Sequence, residues 1–320
     1  MSATERATGR AIEAAWPPLP LAEWSDTRDT LHLWTQIVGK TRLALAPMVN
    51  HWWQVPLYIS ARGLTTSRIP YGTAGFSVEL DFIGHDLQVL CDDGRTWSMT
   101  LAPRSVADFY SEYMFGLRSL GIEIRMWPVP VEIADGIPFA KDETHASYDA
   151  GAAHRFWLAL AQAARVLEIF RGRFLGKSSP VHFFWGSFDL ACTRFNGARA
   201  PQHPGGVPGL ADWVTREAYS HACISAGWWP GTIGSPMPEP AFYAYAYPEP
   251  TGCPTAKIRP DAGYYHHEMH EWILPHDAVR TASNPDALVL DFCQSTYEAA
   301  ATLGGWDRAS LERAEVSHSK

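Results

Sequence analysis

Long apolar segments and paired cysteines are both absent from this sequence of 320 residues. Its apolar runs fall short of the ~18–20 residues that a membrane-spanning helix needs, so we expect no membrane partner. The opening MSATERATGR lacks the apolar core of a signal peptide, which predicts a cytoplasmic location. The five cysteines are dispersed and odd in number, which favours neither a zinc cluster nor a disulfide framework.

Motifs of several enzyme classes are missing as well. Gly205-Gly206 lacks the pattern of a phosphate-binding loop, so we expect no nucleotide cofactor. No serine stands in a nucleophile elbow, and no Cys–His signature is present. A net charge of −8 argues against nucleic acid as a partner. Aromatic residues are abundant, with 14 Trp and 12 Tyr, and they suit a small-molecule pocket as well as an ordinary large core.

Periodic patterns predict an α+β fold of two tandem, structurally similar repeats, each running helix, strands, helix. Each repeat is expected to be a largely antiparallel sheet with helices on one face. Helical spacing covers 26–45, 105–120, 156–172 and 284–303, with Asp26, Ser105 and Asn284 as capping residues. Alternation predicts strands at 76–82 and 96–101, and an edge strand at 122–132 because Pro128 and Pro130 interrupt it.

A comparison of the sequence with itself indicates a duplication. His51-Trp52-Trp53 aligns with His182-Phe183-Phe184, and Pro103 aligns with Pro275. The predicted divisions are an N-terminal extension (1–24), a first repeat (25–133), a linker (134–148), a second repeat carrying the site (149–310) and a C-terminal tail (311–320).

Alternation within strands separates the expected core from the expected site, because alternate side chains share a face. Trp185, Ser187 and Asp189 are expected opposite the helices, and Tyr243, Tyr245 and Tyr247 share one face of another strand. A cleft forms there if the two sheets face each other or join at their edges; a solvated sheet face is the alternative.

Glu271 aligns with the apolar Met99, so a carboxyl group is expected on the core side. Its pKa would be raised unless a cation or donor pairs with it. Such a buried acid is either catalytic or part of a structural ion pair.

Two groups of residues have the composition of a metal site. Glu217 and His221 are four residues apart in the predicted helical stretch 212–225, and His203 lies in the preceding Gly/Pro-rich loop 196–210. Together they would be a two-histidine, one-carboxylate set for Zn, Fe or Mn; a surface pair is the alternative. A weaker set is His266, Glu268 and His270, which alternate on a predicted strand and equally fit a solvated edge.

The remaining candidates concern catalysis and substrate binding. Arg194 and Arg199 are placed to clamp an anionic group, with ordinary surface ion pairs as the alternative. His182 is expected on the core side, where a structural histidine is the competing interpretation. The candidate set is catalytic Asp189, Glu271, Arg194 and His182, with substrate-binding Trp185, Tyr245 and Arg199.

Five motifs resemble a bacterial family catalogued as domain of unknown function 5996, over nearly the whole chain. They are HFFWGSFDLA (182–191), REAYSH (216–221), GWWPG (227–231), AFYAYAYP (241–248) and QSTYEAAA (294–301). The resemblance implies no activity, but most of the candidates lie in or beside these motifs. Before Glu271 the family usually has an apolar residue and glycine, so Met269-His270 departs from it and weakens the second metal set.

These observations favour an enzyme acting on a small anionic or aromatic substrate, with hydrolytic or oxidative chemistry at a divalent metal. The alternative is a non-catalytic protein that holds a small molecule in a cleft lined by Trp and Tyr. A third interpretation, an assembly subunit, has no specific motif in its favour. The sequence leaves the oligomeric state open.

Overall fold

A computed structural model describes residues 15–313, in which two antiparallel six-stranded sheets are covered by helices. The α+β class is therefore confirmed. The first half contains α1 Ser25–Leu45, β1 Tyr58–Ile59, β2 Gly63–Thr65, β3 Ile69–Tyr71, β4 Ala74–Asp81, β5 Asp86–Cys91, β6 Thr96–Thr100 and α2 Val106–Ser119. The second contains α3 Ala150–Gly172, β7 His182–Phe184, β8 Asp189–Arg199, α4 Asp212–Ala218, β9 His221–Trp229, β10 Ala241–Tyr247, β11 Tyr264–His266, β12 Glu271–Pro275, α5 His276–Arg280, α6 Pro285–Leu303 and α7 Arg308–Leu311.

Helix boundaries follow the capping residues at two of the three predicted starts. The Ser105 Oγ accepts from the Asp108 N–H at 3.1 Å, and the Asn284 Oδ1 accepts from the Ala287 N–H at 3.1 Å. Both side chains satisfy an N–H group that the helix leaves free. Asp26 is not a cap, because α1 begins one residue earlier and Trp24 occupies the cap position. None of the helices within 15–313 has the length and apolar character to cross a membrane.

The two sheets join at their edges. The first has the order β1-β2-β4-β5-β6 with β3 on β4, and the second has the order β7-β8-β9-β10-β12-β11. Leu57 and Phe183 exchange two backbone hydrogen bonds of 2.9 Å, which link the strand edges. One apolar core runs through both halves. Trp16, from the predicted N-terminal extension, packs edge-on against Phe242 in this core; positions 1–14 and 314–320 of the predicted termini lie outside the described residues.

The structure does not support the alignment of His51 with His182, because His182 begins β7 whereas His51 lies in no strand. Residues Asn50–Trp52 form a 3-10 turn, and His51 and Trp52 have φ angles of 60° and 63°. The alignment therefore places a turn of the first half on strand β7 of the second. Both halves keep the order helix, strands, helix, but the duplication is not confirmed.

Three other boundaries differ from expectation. The predicted edge strand at 122–132 is wrong, because this segment is irregular and its prolines lack the N–H that a ladder needs. The motif 182–191 is a hairpin with a turn at 185–188 rather than one strand. Strand β8 continues through Arg199, so the irregular part of the Gly/Pro-rich loop is shorter than predicted.

The turn at 185–188 packs against α1 through Trp185. A Cβ added to Gly39 would lie 2.2 Å from the Trp185 indole, so this glycine allows the close approach. We expect Gly39→Ala to destabilise the fold by about 1–3 kcal/mol through overpacking, although alanine is the better helix former. Urea unfolding measures the effect. Gly172→Ala at the end of α3, where nothing lies within 4 Å of the added carbon, is the matched control. Equal stabilities of the two variants would contradict the packing role.

Candidate active site

The face of the second sheet that points away from α3 opens onto a cavity of about 750 Å³. Phe242 and Ala244 of β10 belong to the main core, whereas Tyr243 and Tyr245 alternate with them and line the cavity. This alternation is the one predicted from the sequence. The opposite wall comes from the N-terminal half of α1 and from the segment 130–145, so both halves of the chain enclose the cavity.

Asp189 opens β8 immediately after the turn and is 7% exposed. Its Oδ1 accepts a hydrogen bond from the Ser187 hydroxyl, and its Oδ2 accepts one from the Tyr243 hydroxyl. Burial raises the pKa of Asp189, and the two hydrogen bonds oppose that shift. Both oxygens are thus held in place by neighbouring side chains.

Glu271 opens β12 opposite His266 and is partly buried at the cavity wall. Burial raises the pKa of its carboxyl group to about 8, and the negative charge of Asp189 acts in the same direction. Within 15–313, no basic side chain pairs with Glu271. The raised pKa agrees with expectation, but the predicted core side is wrong. Trp272 and Leu274 face the main core, whereas Glu271 lies on the opposite face of β12, at the cavity.

Glu132 is a third carboxyl group that sequence analysis did not single out. Its Oε1 lies over Gly186, where a Cβ would approach it to 2.1 Å. Burial raises the pKa of Glu132 to about 7, and Asp189 adds to the shift. Gln36 of α1 fixes the preceding residue, because its side-chain amide exchanges hydrogen bonds of 2.8 and 2.9 Å with the backbone of Val131. The only sequence signal was an acidic residue shortly after two prolines.

Tyrosine rings form the wall next to the carboxyl groups. Tyr243 and Tyr245 stack with ring centroids 6.1 Å apart and planes at 14°. The Tyr245 and Tyr219 hydroxyl oxygens are 2.9 Å apart, and the His203 ring stacks on Tyr219 at 4.9 Å. His203 borders a second cavity of about 370 Å³, which shares Tyr219, Tyr245 and Glu271 with the first. Burial raises the pKa values of Tyr219, Tyr243 and Tyr245, so their hydroxyl groups remain protonated donors.

The basic residues at the cavity already have partners. Arg28 donates to Asp29 at 2.8 Å and to the Thr232 hydroxyl at 2.6 Å. The His32 Nε2 lies 2.8 Å from the Gly186 carbonyl oxygen, and burial lowers the His32 pKa to about 3, which keeps the ring neutral. His145 pairs with Asp142 at 2.8 Å. The carboxyl groups of Glu132, Asp189 and Glu271 therefore share the cavity without a cationic partner among the described residues.

The structure does not assemble the first predicted metal set. Helix α4 ends at Ala218, so Glu217 lies on a helix while His221 begins β9. The Glu217 Oε1 accepts from the His51 backbone N–H at 3.1 Å, and the His203 Nδ1 accepts from the Gly205 N–H at 3.0 Å. Among residues 15–313, no three His, Cys, Asp or Glu side chains are grouped to hold a metal ion.

The second metal set is also dispersed. His266 ends β11, whereas Glu268 and His270 lie in the turn before β12, so the three do not share a strand face. The His270 Nδ1 pairs with Glu249 at 3.0 Å. The single strand predicted across these three residues is instead the hairpin of β11 and β12.

Four other predicted site residues lie away from the cavity. Arg194 is fully buried on the helix side, with its guanidinium 3.5 Å from the Phe170 ring centroid. Its guanidinium group therefore does not contact the cavity and is not placed to bind an anionic ligand there. His182 is fully buried beside the Tyr58 hydroxyl, and burial lowers its pKa to about 3. Trp185 donates to the Val55 carbonyl at 2.8 Å, and Arg199 is exposed at the end of β8.

Fold and site together define an α+β protein whose second sheet carries a cavity lined by carboxyl groups and tyrosines. The chain belongs to the family described as "Family of unknown function (DUF5996)", whose model matches residues 16–313. Comparison with curated proteins and with solved structures yields no match. Asp189, Glu271 and Tyr245 are the predicted site residues that line the main cavity, and His203 borders the smaller one.

Proposed function

We propose that the cavity is the active site of an enzyme that moves protons on a small molecule, with Glu132 and Glu271 as acid and base. The observation that carries the proposal is the convergence of three carboxyl groups from distant parts of the chain on one cavity. Like charges in a desolvated site disfavour one another, so folding alone does not favour this grouping. Carboxyl groups with shifted pKa values in a cleft are typical of catalytic sites.

The hydrogen bonds support different roles for the three groups. Asp189 is held by Ser187 and Tyr243, so it is a positioning residue whose negative charge raises the pKa values of its neighbours. Glu132 and Glu271 accept no hydrogen bond from the described residues and are free to exchange protons. With pKa values of about 7 and about 8, both groups titrate near neutral pH. One group can therefore accept a proton while the other donates one.

The cavity also limits the substrate. Its volume of about 750 Å³ suits a small molecule, and the stacked Tyr243 and Tyr245 suit a planar or apolar portion. Arg194 and Arg199, which supported an anionic substrate, lie elsewhere. The predicted metal ligands are apart, so the proposal relies on the chain's own carboxyl groups. A non-catalytic binding protein is the second candidate, because the same tyrosine-lined cavity would hold a ligand without altering it.

A screen of cellular metabolites separates the two candidates. The purified protein is incubated with a small-molecule extract, and mass spectrometry follows both consumed and protein-bound compounds. We expect a compound that the unaltered protein consumes and Glu271→Gln does not. Glu268→Gln, three residues away in the exposed turn, is the matched control and should remain active.

The outcomes distinguish catalysis from binding. A compound that is retained by the protein but never consumed would favour the binding protein over the enzyme. A compound consumed equally by Glu271→Gln would show that the reaction takes place without this carboxyl group and would contradict the proposal.

A further inference from the structure

Negative charge at the cavity exceeds the positive charge that the protein supplies. Arg28 is matched by Asp29, and His145 by Asp142. His32 is neutral because of its burial. The acidic side chains left without a cationic partner among the described residues are Glu132, Asp135, Asp189 and Glu271. An anionic ligand would add to the repulsion, whereas a cationic ligand would relieve it.

Two of these carboxyl groups also have unused hydrogen-bonding capacity. The oxygens of Asp189 are occupied by Ser187 and Tyr243, but those of Glu132 and Glu271 accept no hydrogen bond from the described residues. A ligand rich in N–H groups would donate to these free carboxyl oxygens. A protonated amine is such a ligand, since it offers up to three donors.

The aromatic wall points to the same ligand class independently of the acidic groups. Tyr243 and Tyr245 stack in parallel, and Trp229 and Tyr219 line the same cavity. Faces of aromatic rings attract cations and pack against carbon skeletons. A bare metal ion has no carbon skeleton to pack against these rings, and the described chain has no group of three His, Cys, Asp or Glu side chains that could hold one.

We infer that the cavity binds an organic cation, a molecule with a protonated amine held by Glu132 and Glu271 and a carbon skeleton packed against Tyr243 and Tyr245. This inference rests on the proposed function of the same cavity and specifies its substrate class. The ammonium group would lie near the two carboxyl groups that the proposal assigns to proton transfer, so the reacting carbon or nitrogen would be close to the amine.

Calorimetric titration with matched probes tests the inference. Benzylamine, benzyl alcohol and benzoate share a ring and differ in charge, and butylamine and 1,4-diaminobutane extend the series of amines. At pH 7.5 we expect the best amine to bind at least tenfold more tightly than its neutral counterpart, with benzoate the weakest of the aromatic probes. Because a cation lowers the pKa of a neighbouring carboxyl group, binding should release protons, which titration in phosphate and in Tris detects as a buffer-dependent heat.

Variants connect the binding to the named residues. Glu132→Gln and Glu271→Gln should each weaken amine binding at least tenfold and reduce the proton release, whereas Glu268→Gln should change neither. Melting temperatures at pH 7.5 establish that each variant is folded. Tyr245→Leu should weaken benzylamine more than butylamine.

Tight binding of benzoate, or no preference for any amine over its neutral counterpart, would overturn the inference. If amines fail but Glu271 is still required to consume a neutral metabolite, the inference fails and the proposed enzyme stands. If amines bind and no amine is consumed, the ligand class is right and the enzymatic proposal is wrong.

Discussion

Replacing Glu271 with glutamine is expected to remove a pH-dependent destabilisation of the folded protein. The pKa of this carboxyl group rises from 4.5 to about 8 on folding. At pH 4 and below, the group is protonated in both states and contributes nothing. As the pH rises above 4.5, the unfolded chain loses the proton while the folded chain retains it, so stability falls until the folded group ionises near pH 8.

The size of the effect follows from the shift. One pKa unit corresponds to about 1.4 kcal/mol, and since the carboxyl group is only partly buried we expect a total of roughly 2 kcal/mol. Glutamine does not titrate, so Glu271→Gln should match the unaltered protein near pH 4.5 and be more stable by about that amount at pH 8.5. Urea unfolding at both pH values measures the difference. If Glu271→Gln differs from the unaltered protein by the same free energy of unfolding at both pH values, the raised pKa of Glu271 is contradicted. The same gain in stability in Glu268→Gln would contradict it as well.

Local periodicity predicts a residue's position correctly where that position depends only on the residue's own strand or helix. Ser105 and Asn284 cap their helices as predicted, because capping involves residues only three positions apart. Tyr245 was assigned to the correct face by alternation alone. The same rule places Arg194 on the helix face with Leu190 and Cys192, which is why it is buried and not available to clamp an anionic group.

Contacts between distant segments account for what the sequence did not reveal. Glu132 reaches the cavity because Gln36 holds the backbone of Val131, and nothing local to 130–136 indicates this. Glu217 and His221 have helical spacing, but α4 ends at Ala218 and the chain then joins the sheet as β9. Spacing alone predicts a shared face only within one element.

Loss of either free carboxyl group is expected to have the largest effect on the proposed reaction. General acid–base catalysis contributes about 10²–10⁴-fold to the rate, so Glu132→Gln and Glu271→Gln should each lower kcat/KM on the consumed metabolite by that factor. Glutamine retains the size of the side chain and its place at the cavity wall but cannot exchange the proton. A change in KM alone, with kcat retained, would indicate a binding role and not proton transfer.

The pH profile of kcat/KM for the unaltered protein tests the central claim most directly. An acid and a base with pKa values of about 7 and about 8 predict a bell-shaped profile with its maximum between them. Glu132→Gln and Glu271→Gln should each remove the limb that belongs to the missing group. A profile that is flat from pH 6 to pH 9, or a bell that survives both substitutions, would contradict acid–base catalysis by these two residues.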